Sequence, residues 1–101
     1  MLLDAFKLTG KTALVTGAGK GIGRAIALSY AQLGANVIGI ARNQEELDSL
    51  AEEVRSHGVK ALMIACDITD QQQVDHLPEK ISSEFDALDI LVNNAGAAGR
   101  G

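Results

Sequence analysis

The hydrophobic positions of this chain fall into short unbroken runs that alternate with longer stretches of helical spacing. Ala13-Leu14-Val15 is the apolar centre of a first strand over Thr12–Thr16. Ile22, Ile26, Ser29/Tyr30 and Leu33 then recur every three or four residues. That spacing predicts a helix from Gly21 to Leu33, with Gly34 at the left-handed position that closes it. Val37–Ala41 is a second strand. Asn43 followed three residues later by Glu46 has the form of a capping box, and Leu47, Leu50, Ala51 and Val54 give the helix behind it one apolar face. Gly58 ends this helix, and Ala61–Ala65 is a third strand. Thr69 and Gln72 suggest a second capping box, before a helix whose buried side is Val74, Leu77, Ile81 and Phe85. Pro78 interrupts that helix, where a regular interior position costs about 3 kcal/mol. Either the helix kinks there or its first turn is a separate piece. Asp89–Asn93 is a fourth strand, and glycine-rich coil follows to Gly101.

The order is β-α-β-α-β-α-β, with strands that are apolar throughout rather than alternating. Strands of that kind are covered on both faces, so the fold class is α/β, a parallel sheet with helices above and below. Right-handed crossovers allow the strand order 3-2-1-4, which leaves a crevice between strands one and four where the order reverses. The chain has 101 residues, enough for one domain with one core. Thirteen acidic residues against nine basic ones give a net charge of −4 and no basic stripe, which argues against a nucleic-acid partner. No apolar run approaches membrane-spanning length, and Met1-Leu2-Leu3-Asp4 lacks the features of a secretory leader. Cys66 has no second cysteine to pair with. It reads as a core thiol, in keeping with a reducing, cytoplasmic setting. His57 and His76 show no metal spacing with it and read as surface residues.

The candidate chemistry lies where the first strand meets the first helix. Thr16-Gly17-Ala18-Gly19-Lys20-Gly21-Ile22-Gly23 fails the strict G-x-G-x-x-G pattern and also the G-x-x-x-x-G-K-[ST] phosphate loop. What it contains is T-G-x-x-x-G-x-G. Glycines there permit a tight turn, and the first amides of the helix point at whatever lies ahead of them, a setting that favours an anion such as a pyrophosphate. The bland alternative is a glycine-rich turn with no ligand.

Taken with Asp67 after the third strand and Asn93-Asn94-Ala95-Gly96 after the fourth, this octet resembles the short-chain dehydrogenase/reductase family. The resemblance runs from about Leu8 to the end of the chain, and within the family the chain resembles the 3-oxoacyl-carrier-protein reductase and glucose dehydrogenase type. It implies half of a doubly wound Rossmann fold that binds a dinucleotide. Gly17, Gly21 and Gly23 would form the turn, while the backbone around Ala18, Gly19, Lys20 and Ile22 would line ribose and phosphates. Asp67 would accept from the adenine amino group beside the backbone of Ile68. Asn94, Ala95 and Gly96 would pass the adenosine-side ribose, with Asn93 tying the strand into the sheet. For Asp67 the alternative is an Asx-turn before the next helix.

A ribose 2′-hydroxyl is usually held by an acid about twenty residues past the first glycines. Here Ile40-Ala41-Arg42-Asn43 has none before Glu45, and Arg42 and Lys20 supply two cations instead. This predicts NADP(H) in preference to NAD(H), unless Arg42 is merely solvated. The family's reaction is hydride transfer between nicotinamide and a carbonyl or alcohol carbon, assisted by a Tyr-x-x-x-Lys pair. No such pair occurs: Tyr30 is followed four residues later by Gly34. No catalytic residue is therefore assigned. The chain reads as the cofactor-binding N-terminal half of a longer enzyme, itself inactive, whose full-length parent would take a small carbonyl or alcohol substrate and form homo-oligomers. The competing expectations are a non-catalytic nucleotide-binding module and a truncated product. Asp86 stands where the family commonly has glycine, so any left-handed geometry there would be strained.

Overall fold

The computed structural model describes residues 7–94. Eight elements follow one another: β1 (Thr12–Thr16), α1 (Gly21–Gln32), β2 (Asn36–Ala41), α2 (Gln44–Arg55), β3 (Ala61–Ala65), α3 (Gln71–Asp75), α4 (Leu77–Ser82) and β4 (Ile90–Val92). The four strands form one parallel sheet in the order β3-β2-β1-β4. Val15 pairs with Gly39 on one side and Val92 on the other, so β1 is interior. All five of its residues are buried, the apolar Ala13–Val15 together with the threonines at either end, as a strand covered on both faces requires.

Successive strand residues point to opposite faces, and each face has its own core. Val15 and Val37 pack with Ala27 and Ala31 of α1 and with Leu50 and Val54 of α2. Leu14, Ile38, Ile40, Ile64 and Cys66 form the second cluster, against which Val74, Leu77, Ile81 and Phe85 pack. The predicted inward faces of α2 and of the third helical stretch are therefore the ones used. In α1 the buried positions are instead Gly23, Ala27 and Ala31, with Ile26 and Tyr30 only partly covered and Ile22 and Leu33 exposed, because small residues let the helix lie close on the sheet. Arg24 joins α1 to α2 by donating to the Glu46 carbonyl (3.3 Å), to Ser49 Oγ (3.1 Å) and to the Glu53 carboxylate.

The third helical stretch takes the second of the two forms that Pro78 allows, with its first part a separate piece. Gln71–Asp75 and Leu77–Ser82 are separate helices with His76 between them, and Pro78 sits in the first turn of the second. Proline is harmless there, because a first-turn amide has no intrahelical partner to lose. The N-cap is also one residue later than the Thr69 pattern suggested. Asp70 accepts from the amides of Gln72 (3.0 Å) and Gln73 (3.4 Å), and Gln73 Nε2 reaches back to its carboxylate (3.0 Å). A carboxylate is the stronger acceptor for two amide donors. Among the described residues no side-chain-bearing residue has positive φ, so Asp86 is not left-handed and no strain arises there.

Candidate functional site at the carboxyl ends of the strands

In a parallel sheet every strand ends on the same edge, so the segments following β1, β2, β3 and β4 converge there. They carry the octet, Arg42, Asp67 with Ile68, and Asn93 with Asn94. Ala95 and Gly96, the last two residues of the expected set, lie outside the described residues.

The octet makes the turn its glycines permit. Gly17 and Gly21 have φ of 63° and 61°, a conformation that costs an L-residue about 1–2 kcal/mol. The loop is pinned to β2 by the Ala18 amide, which donates to the Ile40 carbonyl (3.1 Å). Gly23 lies so near the strand end that a Cβ there would fall 2.0 Å from the Gly17 carbonyl oxygen. The helix therefore begins directly against the end of β1. Lys20 is its N-cap, makes no side-chain cap hydrogen bond, and no acid occupies the first turn. The leading amides of α1 are left uncapped, and the helix dipole adds a partial positive charge at the same point. Ile22 stands out from this turn, 73% exposed.

Thr16 links the turn to the end of β4. Its hydroxyl donates toward Asn93 Oδ1 (3.2 Å) and accepts from the Asn94 amide (2.9 Å). Asn94 Nδ2 lies 3.5 Å from the Gly17 carbonyl, so the Asn94 side chain closes over the glycine turn.

Asp67 is the expected acid after β3, and its carboxylate is half engaged. Oδ1 accepts from both the Thr69 amide (2.9 Å) and the Thr69 hydroxyl (2.6 Å), which is the Asx-turn alternative realised. Among the described residues nothing bonds to Oδ2. The two bonds from Thr69 hold the carboxyl below its usual pKa, and the nearby Arg42 charge acts in the same direction. Arg42 and Lys20 are exposed, and among the described residues neither is paired with an acid. Ile68 is 38% exposed beside Asp67.

One acidic residue near the loop escaped the sequence reasoning. The Asn43–Glu46 pattern is half a capping box: Asn43 Oδ1 accepts from the Glu46 amide (3.0 Å), but the Glu46 carboxylate does not return to the Asn43 amide. It turns instead toward the glycine loop, where Oε1 lies 2.6 Å from the position a Cβ on Gly19 would take. The capping pattern explained Glu46 too completely, and nothing else in the sequence points to that contact.

The short chain dehydrogenase family model matches residues 11–101. This chain belongs to that family. An uncharacterized oxidoreductase of Mycobacterium tuberculosis is 43% identical over 95% of the chain and 36% of its own length. An L-sorbose reductase from Gluconobacter frateurii, solved with NADPH and L-sorbose, superposes with a TM-score of 0.84 at 38% identity, over 89% of this chain and 35% of that one. An NAD+-bound xylitol dehydrogenase superposes at 0.80 with 36% identity, over 84% and 33% respectively. The chain thus spans about a third of the length of these relatives, and they include proteins bound to either nicotinamide cofactor. Among the described residues no helix is long and apolar enough to cross a membrane, and no group of His, Cys, Asp and Glu is arranged to hold a metal ion.

Proposed function

We propose that this chain forms the dinucleotide-binding part of an NADP(H)-dependent oxidoreductase. When bound, the nicotinamide would give or take a hydride at a carbonyl or alcohol carbon. The observation that carries the reading is the uncapped start of α1, with no acid in its first turn. The residues fit a dinucleotide in three further respects. Gly23 lets α1 begin directly against the end of β1, where a Cβ would lie 2.0 Å from the Gly17 carbonyl oxygen, so the leading amides stand at the strand end where a pyrophosphate would lie. Asp67 keeps Oδ2 available for the adenine amino group, beside the backbone of Ile68. Asn94 follows β4 at the same sheet edge and, with Ala95 and Gly96 next in the sequence, would border the adenosine ribose.

The preference for the phosphorylated cofactor rests on Arg42 and Lys20, two exposed cations flanking the approach to the loop. Tyr30 lies on α1, packs against the core and is followed four residues later by Gly34, so it is not offered as the family's proton donor. The buried thiol of Cys66 suits a cytoplasmic protein.

Calorimetric titration with NADPH and NADH tests the assignment. Arg42→Ala should weaken NADPH binding by roughly 1.5–3 kcal/mol, the range for a hydrogen bond to a charged group, and leave NADH nearly unchanged. Equal losses for both cofactors would refute the preference for the phosphorylated one.

A further inference from the structure

Glu46 is a half-buried carboxylate with no hydrogen-bond or ionic partner for its oxygens among the described residues. Its backbone is held at both ends. The amide donates to Asn43 Oδ1 (3.0 Å), and the carbonyl accepts from Arg24 (3.3 Å). The side chain lies against the glycine turn. A Cβ built on Gly19 would meet Glu46 Oε1 at 2.6 Å, Glu46 Cβ at 3.2 Å and Ala41 Cβ at 3.4 Å. The carboxylate therefore occupies the seam between the glycine turn and the end of β2. The next residue on one side of that seam is Lys20, and on the other it is Arg42.

We propose that Glu46 is a specificity-determining residue, which tempers the preference for NADPH by facing the adenosine ribose between Lys20 and Arg42. The inference rests on the cofactor reading above and sharpens it. A 2′-phosphate held by both cations must approach a fixed negative charge, and like charges within a few ångströms repel. A 2′-hydroxyl approaching the same carboxylate instead finds an acceptor, the role an acid plays in sites for the unphosphorylated cofactor. The three side chains together describe a site that takes both cofactors, with Arg42 and Lys20 favouring one and Glu46 the other.

The test is calorimetric titration of the 101-residue chain and its Glu46→Gln, Glu45→Gln and Arg42→Ala variants with NADPH and with NADH. Glutamine keeps the size of the side chain and leaves both backbone bonds of residue 46 in place. Glu45 is an exposed acid of the same first turn, so its replacement makes an equal change in net charge without touching Gly19. Glu46→Gln should raise the NADPH-to-NADH affinity ratio about tenfold, the order expected for removing one nearby like charge from a partly screened site. Glu45→Gln should leave the ratio within about twofold, as befits an exposed, screened charge. If Glu46→Gln changes the ratio no more than Glu45→Gln while Arg42→Ala still lowers it, the role of Glu46 is refuted and the cofactor assignment stands. If no form of the chain binds either dinucleotide, both are overturned.

Discussion

Replacing Gly23 by alanine pits two opposing effects against each other, and the structure says which is larger. Gly23 is the third residue of α1, where alanine is intrinsically better than glycine by about 1 kcal/mol. Its Cβ, however, would lie 2.0 Å from the Gly17 oxygen, 2.7 Å from the Gly17 carbonyl carbon and 2.8 Å from Asn94 Nδ2. Relaxed contacts need about 3.5 Å, so the strand end and the helix would have to part by more than an ångström. Neither can yield locally. Gly17 is flanked by Thr16, bonded to Asn93 and Asn94, and by Ala18, bonded to Ile40. Overpacking of this kind costs about 3 kcal/mol at the upper end of its usual range, leaving a net loss of about 2 kcal/mol. For a domain of this size that lowers the melting temperature by roughly 8–16 °C. Gly21→Ala is the matched comparison, since its φ is +61° but nothing lies within 4 Å of the added Cβ. It should cost only the local strain of about 1–2 kcal/mol, with no helical gain to set against it because the residue is left-handed. Thermal unfolding followed by far-ultraviolet circular dichroism would rank the two. A Gly23→Ala chain as stable as Gly21→Ala would show that α1 does not abut the end of β1 as described.

Two further substitutions probe the second half of the chain. Pro78→Ala should lower stability by about 0.5–1 kcal/mol, because proline in a first turn acts by restricting the unfolded chain. A gain of about 3 kcal/mol on urea unfolding would instead mean that Pro78 breaks a continuous helix. The Asp67 carboxyl should titrate below its ordinary value in a carbon-detected NMR experiment, and Thr69→Val should move the midpoint upward by removing the hydroxyl donor. A group whose pKa is depressed on folding stabilises the native state above its unfolded pKa, near 4, and loses that contribution as pH falls through the native midpoint. Thr69→Val should therefore matter to stability at neutral pH and cease to matter in acid. An unmoved midpoint would count against the Thr69–Asp67 contact.

The parts of this molecule that could be read in advance are those decided by neighbours in the chain. Strands β1 and β2 announce themselves because burial on both faces demands apolar residues at every position, and their order follows from crossover handedness. The turn at Gly17–Gly23 was readable for a similar reason, since positive φ at Gly17 and Gly21 admits few other residues. The third helical stretch was harder because two local rules compete there. Val74, Leu77, Ile81 and Phe85 line one face of the sheet whether they sit on one helix or two. Periodicity therefore could not choose, and Pro78 decided it by starting α4. Asp67 and Glu46 show the other limit. Each belongs to a short pattern that suggests a local explanation, an Asx-turn that Asp67 forms with one oxygen and a cap that the Glu46 carboxylate does not make. Their remaining oxygens are directed by the folding together of β1, β2 and β3, which no window of sequence contains. A carboxylate accounted for by its near neighbours can still have an oxygen left over, and at this sheet edge both such oxygens sit beside Arg42 or the turn that carries Lys20. That coincidence makes the charge balance between Glu46 and the two cations the property by which this edge would distinguish its ligands.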